Sequence, residues 1–137
     1  MRFEVLDISG DVGIRAFGRS LEELFVNAAS GMYNLITDTG AVEERKSINV
    51  EVESHSLEGL LVSWLNELIF QFDTYGFVGK EIVIKEFSER GLKASLSGED
   101  FDEARHEKRL LVKAATYHQL KIERTGEDWK AEIIFDI

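Results

Sequence analysis

Cysteine and proline are both missing from this chain of 137 residues. Without cysteine there is no disulfide framework, thiolate nucleophile or zinc-ribbon site, which leaves carboxylate oxygens as the basis of any hard-metal site. Without proline the chain has few obvious breaks, and no linker, internal repeat or low-complexity segment interrupts it. Long apolar runs are also missing. None approaches the ~18 residues that span a bilayer, and the first residues, MRFEVLDISG, carry charge where a secretory signal needs an apolar stretch. A cytoplasmic protein without a membrane segment is expected. Positive charge is scarce: 16 Lys and Arg stand against 26 Asp and Glu, a formal net charge of −10. Such a surface repels phosphate backbones, so direct nucleic-acid binding is not expected and a basic protein partner is the better match. An acidic surface also serves solubility alone.

What is present is enough for one domain over residues 1–137. With 44% hydrophobic residues, a chain of this size buries roughly two-thirds of its unfolded surface in a single core. Apolar and polar residues alternate from Arg2 to Ile8 and from Val12 to Phe17, with Ser9-Gly10-Asp11 as turn residues between, which predicts a β-hairpin. Ser20 followed three residues later by Glu23 forms a capping box. Leu21, Leu24, Phe25, Ala28, Met32, Leu35 and Ile36 then recur at helical spacing. KSINVEVE, residues 46–53, alternates as a strand. From Ser56 a second helix carries Leu57, Leu60, Leu61, Trp64, Leu65, Leu68, Ile69 and Phe72 and stops at Tyr75-Gly76. This helix is expected to be the most buried element.

The second half alternates throughout. EIVIKEF, LKASLSG, RLLVKAA, TYHQLKIER and DWKAEIIFDI each read as a strand, with Thr125-Gly126-Glu127 turning the last hairpin. The expected fold is α+β, a two-layer sandwich with two helices packed on a largely antiparallel β-sheet.

Few residues form a chemical constellation. His55, His106 and His118 lie in different elements without HxH or HxxxH spacing, which favours structural roles over metal ligation. No GxSxG is present, and a phosphoester hydrolase lacks a placed base and leaving-group acid. In GEDFDEARHEKR, residues 98–109, Asp100 and Asp102 mimic the first two ligands of an EF-hand loop, but the required Gly and terminal Glu are missing. A solvated loop or docking surface is expected there. Asp136 follows Ile133, Ile134 and Phe135 and precedes Ile137, whose α-carboxylate adds a second anionic group. If the Asp11 turn lies at the same end of the sheet, carboxylate oxygens converge in a manner suited to Ca²⁺, Mg²⁺ or Mn²⁺; if it does not, terminal carboxylates simply face water. Lys113 is the one cation inside LLVKAATYH, where a strand lysine commonly snorkels to the surface. Tyr117 and Trp64 read as rim or core aromatics.

Taken together, LD-x-x-x-DVGIRAFG, SLEELFVNAASGMYNLITDTGAVE, LLVSWLNELIFQFD, the GE before DxxRHEKR, VKAATYHQLKI and the closing FDI resemble the archease family over nearly the whole chain. The resemblance implies a non-catalytic accessory protein that binds a divalent cation and assists an RtcB-type RNA ligase in tRNA splicing and RNA repair. That ligase uses GTP and Mn²⁺ to form a guanylylated histidine, and archease promotes this step and multiple turnover. The implied metal ligands are Asp11, Asp136 and Ile137, and the implied residue for ligase activation is Lys113. Archeases usually carry His-Thr-Ala before the turn aspartate, where this chain has Ile8-Ser9-Gly10. A chaperone-like role toward a tRNA methyltransferase is the alternative partnership that the resemblance implies.

Overall fold

The computed structural model describes residues 2–137, the side chain of Ile8 excepted. It opens with β1 (Phe3–Ile8) and β2 (Asp11–Gly18), joined by a tight turn in which Ser9 and Gly10 both have positive φ, 51° and 87°. Positive φ at both central residues is the type I′ geometry that matches strand twist, and it makes Asp11 the first residue of β2, paired with Ile8. α1 (Leu21–Ile36) and β3 (Lys46–Glu53) follow, with a 3₁₀ turn at Thr39–Ala41 between them. Next come α2 (Leu57–Tyr75), β4 (Phe77–Ser88), β5 (Gly91–Asp100), the two-residue β6 (Ala114–Ala115), β7 (Lys121–Thr125) and β8 (Asp128–Asp136).

Both helices begin as the sequence predicts. Ser20 Oγ accepts from the Glu23 N–H at 3.1 Å, and Ser56 Oγ from the Gly59 N–H at 2.9 Å. The Glu23 carboxylate reaches back one residue before the cap and accepts from the Arg19 N–H. α2 stops at Gly76, whose φ of 75° is the left-handed conformation that closes helices.

The α+β class and the antiparallel pairing are as expected, but the strands divide into two sheets. One has the order β1-β2-β8-β6, with β7 also on β8, and the other has the order β3-β5-β4. α1 lies against β2 and β4, and α2 against β3, β4 and β6, so the helices join the sheets into one core. Leu24, Phe25, Met32, Leu60, Trp64, Leu65 and Leu68 are fully enclosed there. Trp64 Nε1 donates to the Phe25 carbonyl at 3.0 Å, which satisfies the one polar atom of the largest core side chain. Burying each such side chain contributes about 1.5–3 kcal/mol.

Two expectations are corrected. α1, not α2, is the more enclosed helix, with ten buried residues of 16 against eight of 19. It is packed from both sheets, while α2 leaves Phe70, Asp73, Thr74 and Tyr75 in solvent. The alternating stretch RLLVKAA is also not a strand beyond Ala114–Ala115. Its backbone instead crosses the end of α1, where the Arg109 and Leu110 N–H groups donate to the Ile36 and Leu35 carbonyls. It thereby satisfies carbonyls that a helix end leaves without partners. Val112 points inward while Leu111 and Lys113 point out, so the alternation is real although most of the ladder is not. TYHQLKIER is likewise extended as a strand only in β7.

Candidate functional site

The β2–β8 register ends at Val12 opposite Phe135, so one step further Asp11 stands beside Asp136. On the other side of β8, Ala114 pairs with Asp136, and the Lys113 N–H donates to the Asp136 carbonyl at 2.8 Å. Strands β2 and β8 and the residue leading into β6 thus bring Asp11, Asp136 and Lys113 to one end of the larger sheet. They line an open cavity of about 430 Å³ together with Gly10, Val12, Phe135 and Ile137.

The alternation that buries Ile14 and Phe135 turns Asp11 and Asp136 to the opposite face of the sheet. Ile14 Cδ1 lies against Gly31 of α1, which fixes which face is inner. Gly13, between these positions, has no room for a side chain, since a Cβ there would stand 2.5 Å from the Ile133 carbonyl oxygen and 2.9 Å from Ile134 Cδ1. The close approach it permits keeps β2 tight against β8 beside Asp11.

Charge on this outer face is paired lower down and unpaired at the tip. Arg15 binds Glu4 on one neighbouring strand and Glu132 on the other. Among the described residues, Asp11, Lys113 and Asp136 enter no ion pair and no side-chain hydrogen bond, and all are exposed. Nor is there, among the described residues, any group of three His, Cys, Asp or Glu side chains able to hold a metal. A cation here would therefore need the Ile137 α-carboxylate as a further donor. Asp11, Asp136 and that carboxylate form an all-oxygen set, which fits a hard divalent cation and not a soft one.

The other sequence candidates resolve differently. His55 and His118 are exposed and do not line the tip cavity. Asp100 is bound by Lys46 at 2.6 Å, while Asp102 Oδ1 accepts from the Ala104 N–H at 2.9 Å, so the EF-hand resemblance is occupied by local structure. Tyr117 is a rim residue and Trp64 a core residue.

The stretch expected to be solvated contains, among the described residues, a buried charge. Glu99 and His106 are each only 4% exposed. Glu99 Oε2 accepts from the Glu43 N–H at 2.6 Å and from His106 Nε2 at 3.1 Å, while Oε1 accepts from Arg105. Arg45 adds a longer contact at 3.6 Å. Because His106 Nδ1 accepts from the Asp102 N–H at 2.8 Å, the neutral ring carries its proton on Nε2 and donates it to Glu99. The Glu43 N–H, then His106 and Arg105, hold the Glu99 carboxyl at about 2 against burial, which pushes it upward. Sequence reasoning missed this cluster. Glu99 lies at the end of a strand and His106 in the irregular loop beyond it, so no shared helix or strand face joins them, and they meet only because the chain folds back after β5. The one available signal was a histidine embedded in a charge-rich run.

The whole chain can be compared with known proteins at this point. A family model described as the archease protein family (MTH1598/TM1083) matches residues 3–137. The archease of Pyrococcus abyssi is 39% identical, and the match covers 99% of each chain. That of Methanosarcina acetivorans is 37% identical over 99% of this chain and 96% of its own. Among solved structures, the solution structure of Methanobacterium thermoautotrophicum protein 1598 superposes with a TM-score of 0.81 at 36% identity, covering 98% of both chains. The crystal structure of the Thermotoga maritima archease, described as a possible chaperone, has a TM-score of 0.69 at 23% identity and covers 100% of this chain and 98% of its own. The fold, the family model and full-length relatives all agree: the chain belongs to the archease family.

Proposed function

We propose that this archease is a non-catalytic activator of an RtcB-type RNA ligase in tRNA splicing and RNA repair, acting through the tip that holds Asp11, Asp136, Ile137 and Lys113. The observation that carries the proposal is the convergence of these residues in one open cavity. Asp11, Asp136 and the Ile137 α-carboxylate would hold a Ca²⁺, Mg²⁺ or Mn²⁺ ion. When bound, the ion supplies a fixed positive charge that attracts phosphate or carboxylate oxygens.

The chain's own residues have separable tasks. The two aspartates orient the cation from adjacent rigid strands, and Lys113 presents an ammonium to a phosphate or carboxylate of the ligase. The net charge of −10 complements a basic RNA channel and favours encounter with it. Activation requires the tip to bind the guanylylation-competent ligase more tightly than the incompetent one, since equal affinity shifts no population.

The test is single-turnover guanylylation of the cognate ligase with wild type, Asp11→Ala, Asp136→Ala and Lys113→Ala. Each variant is expected to lose at least about tenfold in stimulation, equivalent to about 1.4 kcal/mol of differential binding. Full stimulation by all three removes the proposed site.

A second reading is a chaperone-like modulator of a tRNA methyltransferase. It is favoured by Leu111 and Tyr117, which are 62% and 63% exposed on the segment that carries Lys113. Exposed apolar side chains flanking one short strand offer a surface for another protein. Co-purification of a methyltransferase without ligase, undiminished by Asp11→Ala, would support this reading.

A further inference from the structure

Lys113 sits on a segment with little regular structure. Between the end of β5 at Asp100 and the start of β6 at Ala114 no strand or helix forms. An exposed lysine on such a segment would wander unless the backbone were fixed elsewhere. Downstream it is fixed by the Lys113 N–H bond to Asp136, the pairing of Ala114 with Asp136 and the bond of the Ala115 N–H to Asn66. Upstream it is fixed by contacts at the far end of the segment.

Glu99 and His106 close the first part of the segment into a loop, with Asp102 held by both its N–H, which donates to His106 Nδ1, and its carbonyl, which accepts from the His106 N–H at 2.8 Å. The His106 ring lies 5.5 Å from that of Phe101, which in turn packs edge-on against Phe72 of α2 at 5.7 Å. Glu99 also accepts from the Glu43 main chain, so the loop is tied to the connection that follows α1. Immediately after His106, buried Thr37 donates its hydroxyl to the Glu107 carbonyl at 2.7 Å. The Arg109 and Leu110 N–H groups then bind the Ile36 and Leu35 carbonyls at 3.1 and 3.0 Å. From that clamp two residues, Leu111 and Val112, lead to Lys113, whose own N–H reaches Asp136.

From this continuous run of contacts we infer that the buried Glu99–His106–Arg105 cluster is a latch that holds the upstream side of the segment, while β8 holds its downstream side, so that both together set the position of Lys113 at the tip. His106 and Glu99 are positioning residues: they touch neither cavity nor partner and act through the backbone of residues 107–113. A full carboxylate buried beside a neutral histidine is more than a loop anchor needs, because a neutral hydrogen bond would hold a loop at lower desolvation cost. What the cluster adds is geometry, since several donors converge on two oxygens and permit one arrangement only. The inference rests on the proposed role of Lys113 in activation, and its test separates the two.

The test uses the full chain with His106→Phe, which keeps a ring against Phe101 and removes both nitrogens. Amide hydrogen exchange at Arg109, Leu110 and Lys113 is expected to accelerate at least about tenfold, with α2 amides such as that of Leu65 within about threefold of wild type. Ligase stimulation is expected to fall toward the Lys113→Ala level, and His106→Phe in a Lys113→Ala background to change it by less than about twofold, the non-additivity of coupled groups. His106→Gln, which retains a donor toward Glu99, is expected to recover part of the loss. Where His106→Phe does not fold, Thr37→Val loosens the same segment from the helix side and carries the same exchange expectation.

Uniform acceleration of exchange across the molecule, or none, overturns the latch. So does full stimulation by His106→Phe where Lys113→Ala has lost it. Full stimulation by Lys113→Ala overturns the proposed role of the lysine instead, and the exchange result then decides the latch alone.

Discussion

Two clusters of charge in this molecule have opposite construction. At the tip, Asp11, Asp136 and Lys113 are exposed and, among the described residues, without charged partners. Beneath the loop after β5, Glu99 is buried and bound by the Glu43 N–H, His106 and Arg105. The contrast separates two meanings of a charged residue. A buried charge must be neutralised inside the fold, and removing its partner destabilises the fold. An exposed set of like-charged oxygens on rigid strands contributes little to stability and remains free to bind something else.

The largest expected effect lies in the buried cluster. His106→Ala removes two hydrogen bonds and a packed ring, and is expected to cost about 2–4 kcal/mol in urea unfolding. If the two clusters really differ, Asp11→Ala, Asp136→Ala and Lys113→Ala each stay within about 0.5 kcal/mol of wild type without added metal. Equal losses at both places would erase the comparison.

Metal should act only at the tip. A cation at 100 times its Kd stabilises the native state by about 2.7 kcal/mol. That gain is expected to appear as a raised unfolding temperature in wild type and in His106→Gln, and to vanish in Asp11→Ala and Asp136→Ala. A gain that persists in both aspartate variants would place the cation elsewhere.

Acid should act at the buried cluster. The folded carboxyl of Glu99 is held down to about 2 from an ordinary value of 4.5. A depressed folded pKa gives stability that is complete above the unfolded value and is lost as pH falls through the folded one. Wild type is therefore expected to lose stability progressively between about pH 5 and pH 2, and Glu99→Gln to show a flatter dependence there. Urea midpoints from pH 5 to pH 3 read this smallest effect, and parallel curves for the two proteins would contradict it.

The sequence is legible where local chemistry decides and illegible where distant segments meet. β1, β2, α1, β3 and α2 follow directly from alternation, capping residues and helical spacing. The division into two sheets does not, because β2 pairs with β8 across more than a hundred residues. RLLVKAA alternates for a reason mostly unrelated to a ladder: Val112 enters the core while the Arg109 and Leu110 N–H groups serve the end of α1. At the tip, Asp136 was visible as a carboxylate ending an apolar strand and Asp11 as a turn residue. Their adjacency is a property of register: spacing allowed it only on the condition that the Asp11 turn lies at the same end of the sheet, and resemblance to a family strengthened it. Glu99 and His106 were hidden more deeply, since burial of a charge has no local signature and opposes the usual reading of a charged run.

The tip as a cation-binding site is tested most directly by calorimetric titration of the purified chain with Mn²⁺ and with Ca²⁺, in parallel for wild type, Asp11→Ala and Asp136→Ala. One ion per chain in wild type, weakened at least about tenfold in each variant, is the predicted result. Binding of equal strength in all three proteins would contradict it.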